Sequence, residues 1–70
     1  MEQKLRISLA AARVNADMTQ KRAADELGIN VNTLQNYESG KTCPSWEIIC
    51  KMEALYGIPV DNLKVRRGVN

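Results

Sequence analysis

Two short helical segments joined by a tight connection most constrain what this chain can fold into. Thr19 and Asn30 are residue types that accept hydrogen bonds from the first amides of a helix, and each precedes apolar residues at helical spacing. Gly28 follows the first segment, where glycine adopts the left-handed conformation that ends a helix without steric penalty. Gly40 follows the second segment. The pattern predicts helices at about residues 20–27 and 31–39.

The same periodicity predicts further short helices in the rest of the chain. A first helix is expected over about residues 3–15, and a fourth from Trp46 to Tyr56, between the N-cap Ser45 and Gly57. A fifth short turn is expected over residues 59–63, followed by a tail at about 65–70. Because no segment alternates like a strand, we expect one all-α domain, residues 1–70, built as a compact bundle of about five short helices. Its expected core includes Met18, Trp46 and Met52.

Composition excludes several functional classes. Ten Lys and Arg against eight Asp and Glu give a net charge of +2, which permits nucleic-acid binding without indicating it. Cys43 and Cys50 are the only cysteines and there is no histidine, so these residues cannot close a four-ligand zinc site. The chain also lacks a phosphate-cradling glycine loop. We therefore expect no catalysis, no metal and no cofactor.

The expected location is the cytoplasm. No apolar run approaches the length that crosses a bilayer, and Glu2, Lys4 and Arg6 interrupt any signal-peptide pattern at the start. In a reducing compartment both cysteines remain free thiols. Neither a membrane partner nor a small-molecule ligand is expected.

Packing positions within residues 20–40 indicate a helix-turn-helix. Ala24 is small where two helices would cross closely, and Gly28 lies in the turn. Four apolar residues can lock the pair against the rest of the domain: Leu27, Ile29, Leu34 and Tyr37. Each feature is common alone, but their combined spacing is that of a helix-turn-helix.

The motifs along this stretch resemble the Cro and phage-repressor (XRE-type, lambda-repressor-like) helix-turn-helix family. They are Thr19-Gln20, Leu27-Gly28-Ile29, Tyr37-Glu38-Ser39-Gly40-Lys41 and Pro44-Ser45, and the wider similarity covers about residues 5–63. The resemblance implies a five-helix domain with its motif at about residues 19–41, formed by helices 2 and 3. It also implies a transcriptional regulator, most often a phage or prophage repressor, that binds double-stranded DNA as a homodimer on a (pseudo)palindromic operator.

The third helix would be the recognition helix. Val31, Asn32, Gln35 and Asn36 occupy its outward face, and family base-contacting positions resemble Val31, Asn32 and Asn36, with Thr33 or Gln35 nearer the backbone. Asn and Gln amides pair bidentately with adenine, and an apolar Val can contact a thymine methyl. We therefore expect A·T pairs in the operator half-site. The helix carries no Arg or Lys, so it cannot read guanine through a basic side chain.

Candidate phosphate contacts flank this helix. Gln20 resembles the family glutamine that contacts a DNA phosphate, and an amide donor beside the amides of a helix start suits an anion. Further candidates are Lys21, Arg22, Thr33, Lys41 and Thr42, with Lys4, Arg66 and Arg67 as weaker ones. Such contacts release counterions, so binding should weaken as salt is raised.

The resemblance also implies a structural pair between Arg13 and Glu38. In the family, a basic residue of the first helix pairs with the glutamate of the Tyr-Glu-Ser-Gly segment. Here the pair would tie the first helix to the recognition helix and fix its angle. Because desolvation of such a pair offsets much of its attraction, its expected role is geometric.

Two alternatives remain open from the sequence. The chain could be a protein-interaction module or antitoxin-like partner that retains the fold, since fold does not dictate function. It could also be the DNA-binding piece of a longer protein. A dimer surface is expected in the apolar region around Ile58, Val60, Leu63 and Val65.

Overall fold

The computed structural model describes residues 6–64, which form four α-helices and a small strand pair. The elements, in chain order, are β1 (Ile7–Ser8), α1 (Leu9–Asn15), α2 (Gln20–Leu27), α3 (Val31–Ser39), α4 (Trp46–Tyr56), a 3-10 turn (Val60–Asn62) and β2 (Leu63–Lys64). α2 packs mainly against α3, and α1 and α4 support this pair from behind. The predicted helix-turn-helix is therefore present.

Local hydrogen bonds explain where α2 and α3 begin. The Thr19 hydroxyl accepts from the amide of Arg22 at 3.1 Å, and the Asn30 side-chain oxygen accepts from the amide of Asn32 at 2.7 Å. Gly28 then ends α2 with φ of 74°, in the left-handed region. These contacts satisfy amides that a helix start leaves unpaired. Because they are local, the bounds predicted for both helices match the observed ones.

The start of the chain corrects the prediction. Within the described part, the first helix begins at Leu9 rather than near residue 3, because the Ser8 hydroxyl caps it by accepting from the amide of Ala11. The residues before it form β1, whose Ile7 pairs in parallel with Leu63 and whose Ser8 pairs with Lys64. Residues 1–5 lie outside the described range.

The all-α prediction is therefore wrong in detail. A strand of two residues carries no alternation that a pattern search can detect, and its pairing joins the two ends of the domain. The predicted fifth helix is a single 3-10 turn, Val60–Asn62, that leads into β2.

Apolar side chains from all four α-helices meet in one core. Its buried members are Leu9, Ala12, Ala23, Ala24, Leu27, Leu34, Met52, Tyr56 and Leu63. Met52 is fully buried and Met18 packs against the cluster, as predicted. Leu63 is buried in this core, which removes it from the predicted dimer surface; Ile58 and Val60 are half-buried, and Val65 lies outside the described residues.

Trp46 is the one predicted core residue that the structure places on the surface. Its exposed fraction is 64%. At 3.6 residues per turn, the first residue of α4 lies about 120° around the helix axis from Met52, and so away from the buried face. Near-continuous apolar sequence in α4 concealed which side of the helix packs. Among residues 6–64, no helix is long and apolar enough to cross a membrane.

Candidate nucleic-acid interface

The turn between α2 and α3 holds the second helix at a fixed angle to the first. Ala24 and Leu27 on α2 and Leu34 on α3 are buried together, which brings the two helix backbones close. The amide of Ile29 donates to the carbonyl of Ala24 at 3.0 Å and closes the turn. One side of α3 thus packs against the core, and its opposite side faces outward.

The outward side of α3 carries the predicted base-contacting residues. Asn32 and Gln35 are exposed, and Asn36 and Val31 are half-buried, with Val31 also packing against the core. None of the four is fully buried, so each side chain keeps some access to solvent. We call this surface, formed by Val31, Asn32, Gln35 and Asn36, the reading face. It offers amide donors and acceptors without a formal charge.

The segment after α3 folds back onto the end of the helix. The amides of Lys41 and Thr42 both donate to the carbonyl of Asn36, at 2.9 and 3.3 Å. The two side chains are exposed. Both backbone amides are therefore hydrogen-bonded within the protein. The groups left to contact a phosphate are the lysine ammonium and the threonine hydroxyl. Thr33, the third residue of α3, is half-buried.

Arg13 and Glu38 form an ion pair behind the reading face. Arg13 Nε donates to Glu38 Oε2 at 2.7 Å, and a second nitrogen of the same guanidinium lies 3.4 Å from Glu38 Oε1. Arg13 Nη1 also donates to the carbonyl of Met18 at 2.8 Å. Arg13 on α1 therefore bonds both to the loop before α2 and to the last turn of α3.

Gln20 extends this cluster to the surface. Its Nε2 donates to Glu38 Oε1 at 2.9 Å, and its Oε1 accepts from Gln35 Nε2 at 3.2 Å. Gln20 is half-buried at the first position of α2. An amide nitrogen carries two hydrogens, so one N–H of Gln20 remains for a further acceptor. The sequence predicts separate roles for Gln20 and Gln35 but gives no sign of their contact, which depends on how the two helices cross.

The other basic candidates are distributed over the exposed surface. Lys21 and Arg22 lie on the outer side of α2, and Lys21 is 3.5 Å from Asp25 in an exposed pair. Such exposed pairs contribute little to stability. Lys4, Arg66 and Arg67 lie outside the described residues.

Tyr56 lies beneath this interface, near the ion pair. The residue is 7% exposed, and its hydroxyl has no hydrogen-bond partner among residues 6–64. Burial raises the pKa of the phenol above 10, and the Glu38 carboxylate raises it further, while Arg13 acts in the opposite direction. The phenol is thus held neutral in the core. Nothing in the sequence marked this residue.

These features define a helix-turn-helix domain with a polar, uncharged reading face. The chain belongs to the helix-turn-helix family whose model matches residues 9–63. The predicted membership of the phage-repressor helix-turn-helix family is confirmed.

Curated relatives agree with this assignment. The chain is 35% identical over 60 residues to a cryptic phage CTXphi transcriptional repressor, RstR, of Vibrio cholerae, covering 86% of this chain and 54% of the relative. It is 40% identical over 55 residues to the HTH-type transcriptional regulator ImmR of Bacillus subtilis, covering 79% and 43%. It is 30% identical over 54 residues to multiprotein-bridging factor 1c of Arabidopsis thaliana, covering 77% and 36%.

The chain spans about half the length of the first curated relatives that it matches. No solved structure matches it.

Proposed function

We propose that this chain is a transcriptional regulator that binds double-stranded DNA sequence-specifically through the major groove. The observation that carries the proposal is the reading face on α3, which presents exposed or half-exposed amides beside Gln20. The relatives named as phage repressor and transcriptional regulator support a repressor of phage or prophage type. The proposed operator half-site contains A·T pairs opposite Asn32 and Asn36, because Asn amides pair bidentately with adenine.

The phosphate contacts are proposed to come from both flanks of the reading face. Gln20 would donate its remaining N–H, and Lys21, Lys41, Thr33 and Thr42 would contribute side-chain donors. These contacts position the helix and carry no sequence information themselves. Because α3 has no cation, affinity depends on them strongly, and raised salt should weaken binding.

A homodimer on a (pseudo)palindromic operator is the proposed binding unit. One short recognition helix offers few base contacts, each worth about 1–3 kcal/mol of discrimination. Two copies on half-sites about one helical turn apart would supply useful specificity. We also propose a cytoplasmic location, in keeping with Cys43 and Cys50, which are free thiols.

Selection from randomised duplex DNA tests the proposal. We expect enrichment of two-fold related half-sites with A·T pairs, and loss of that enrichment in the Asn32→Ala/Asn36→Ala variant. Lys41→Ala should lower the slope of log affinity against log salt by about 1, whereas Lys51→Ala on α4 should leave it unchanged. Enrichment of half-sites containing only G·C pairs would refute the assigned base contacts, and no enrichment would refute the function.

A second candidate function is protein binding with the fold retained. Two observations favour it: α3 lacks Lys and Arg, and one relative is named a multiprotein-bridging factor. A mobility shift with random-sequence DNA separates the two functions. The DNA-binding function predicts a shift that disappears as salt is raised, while the alternative predicts no shift at any salt concentration.

A further inference from the structure

A chain of hydrogen bonds connects α1 to the exposed face of α3. Arg13 donates to Glu38 at 2.7 Å, Gln20 donates to Glu38 at 2.9 Å, and Gln35 donates to Gln20 at 3.2 Å. Its inner end is sheltered, since the Glu38 side chain is 7% exposed, whereas Gln35 at its outer end is exposed. The chain therefore links a protected charge to a member of the reading face.

The charge at the inner end dictates which way each amide points. An ionised carboxylate only accepts hydrogen bonds, so Gln20 has to turn its NH2 group toward Glu38. The carbonyl of Gln20 then lies on the opposite edge of its amide group, where only a donor can satisfy it. Gln35 meets that requirement with its own NH2 group. The orientation of Gln35 is thus a consequence of the charge on Glu38.

This orientation leaves Gln35 with a defined set of outward groups. A primary amide has two N–H donors and one carbonyl. Because one N–H is used on Gln20, one N–H and the carbonyl remain. The major-groove edge of adenine presents one acceptor, N7, and one donor, N6, which match that set. Guanine presents two acceptors, N7 and O6, and needs two donors.

We propose that Glu38 and Gln20 are positioning residues that orient the amide of Gln35, and that Gln35 thereby selects adenine over guanine at one position of the half-site. This inference rests on the proposed function, because it requires α3 to enter the major groove. It adds a specificity-determining role for Gln35 that depends on residues remote from the bases.

The substitution Glu38→Gln tests the orientation directly. Arg13 only donates, and its short bond of 2.7 Å is to Oε2 whereas its contact with Oε1 is 3.4 Å, so the new amide has to place its carbonyl at the Oε2 position and its NH2 group at the Oε1 position, toward Gln20. Gln20 then reverses, and Gln35 reverses in turn. Both N–H groups of Gln35 would face outward, which is the set that guanine requires. The expected result is a shift of preference from adenine to guanine at one position.

The measurement is the ratio of Kd values for two duplexes that differ by A·T against G·C at that position. Within one variant, uniform effects of charge or stability cancel in this ratio. Wild type should favour adenine on the order of tenfold, Glu38→Gln should lower or invert the ratio, and Gln35→Ala should abolish the preference at that position alone. In Glu38→Gln/Gln20→Ala the connection is cut, so the inversion should disappear.

Several results would overturn this inference. An unchanged adenine preference in a Glu38→Gln variant that circular dichroism shows to be folded would do so, as would an unchanged preference in Gln35→Ala. If Glu38→Gln does not fold, Gln20→Ala leaves the ion pair in place and should still reduce the preference; an unchanged ratio there contradicts the proposal. Failure of wild type to enrich any sequence would instead refute the proposed DNA binding itself, and this inference with it.

Discussion

Removal of Arg13 is the sharpest test of how the reading face is held in place. Arg13→Ala deletes the bonds to Glu38 and to the carbonyl of Met18, and leaves the sheltered carboxylate with Gln20 as its remaining partner. The two side chains are 13% and 7% exposed. The variant therefore creates a poorly solvated charge in addition to losing hydrogen bonds.

The magnitude follows from this burial. Removing one partner of a buried ion pair costs about 3–5 kcal/mol. Because Arg13 keeps some solvent access and Glu38 keeps its bond from Gln20, we expect about 2–3 kcal/mol here. A chain of this length has a free energy of unfolding of roughly 4–10 kcal/mol, so the variant remains folded at 25 °C.

Urea denaturation measures the effect. With a slope of about 1 kcal/mol per molar urea, the midpoint should fall by about 2–3 M. Lys21→Ala is the matched control, because Lys21 and Asp25 form a pair at 3.5 Å whose side chains are 82% and 69% exposed. It should change stability by less than about 0.5 kcal/mol.

Two results would contradict this reasoning. One is an Arg13→Ala midpoint that moves no further than that of Lys21→Ala. The other is an Arg13→Met/Glu38→Met variant that is less stable than Arg13→Ala, because removing both charges should cost less than stranding one. Below its unfolding transition, Arg13→Ala should also bind the selected duplex more weakly. Wild-type affinity would refute the role of the pair in setting the angle of α3.

Further predictions concern the buried Tyr56 hydroxyl, the backbone at Asp17 and the exposed Trp46 side chain. Tyr56→Phe should raise the free energy of unfolding by about 1 kcal/mol, because it removes a buried hydroxyl that has no partner among residues 6–64. Because the pKa of Tyr56 is raised in the folded protein, the unfolded chain releases the phenolic proton near pH 10 while the folded protein keeps it. Wild type should therefore lose stability above pH 10, and Tyr56→Phe should lose less. Denaturation at pH 7 and at pH 11 measures this difference. Asp17→Gly should stabilise by about 0.5 kcal/mol because Asp17 has φ of 59°, and a lower midpoint would contradict this. Trp46→Ala should lower the free energy of unfolding by less than about 1 kcal/mol, because Trp46 is exposed. Met52→Ala, at a fully buried position, should lower it by about 2–5 kcal/mol. Equal losses would show that Trp46 packs against the protein.

Local signals allowed much of the fold to be predicted. The caps Thr19, Asn30 and Ser45 contact amides two or three residues away, so the sequence around each one contains the whole interaction. The bounds of α2, α3 and α4 follow from those caps and from the glycines that end the helices. The reading face follows as well, because helical periodicity alone places Asn32 and Asn36 on one side of α3.

Non-local contacts account for the differences between the predicted and the observed fold. β1 exists because Ile7 meets Leu63, at the other end of the domain, and neither segment carries a strand pattern of its own. Trp46 and Met52 are both apolar residues of one helix, and only the packing of α4 against α2 and α1 buries one and exposes the other.

The amino-acid sequence alone determined the helix-turn-helix, its limits and the residue types on its outer side, because capping and periodicity act over a few residues. The crossing of α2 and α3 decided which of those side chains form hydrogen bonds with one another. It brought Gln35 within 3.2 Å of Gln20, and Gln20 within 2.9 Å of Glu38. Hydrogen bonds between residues fifteen or more positions apart depend on backbone placement, which a linear pattern does not contain.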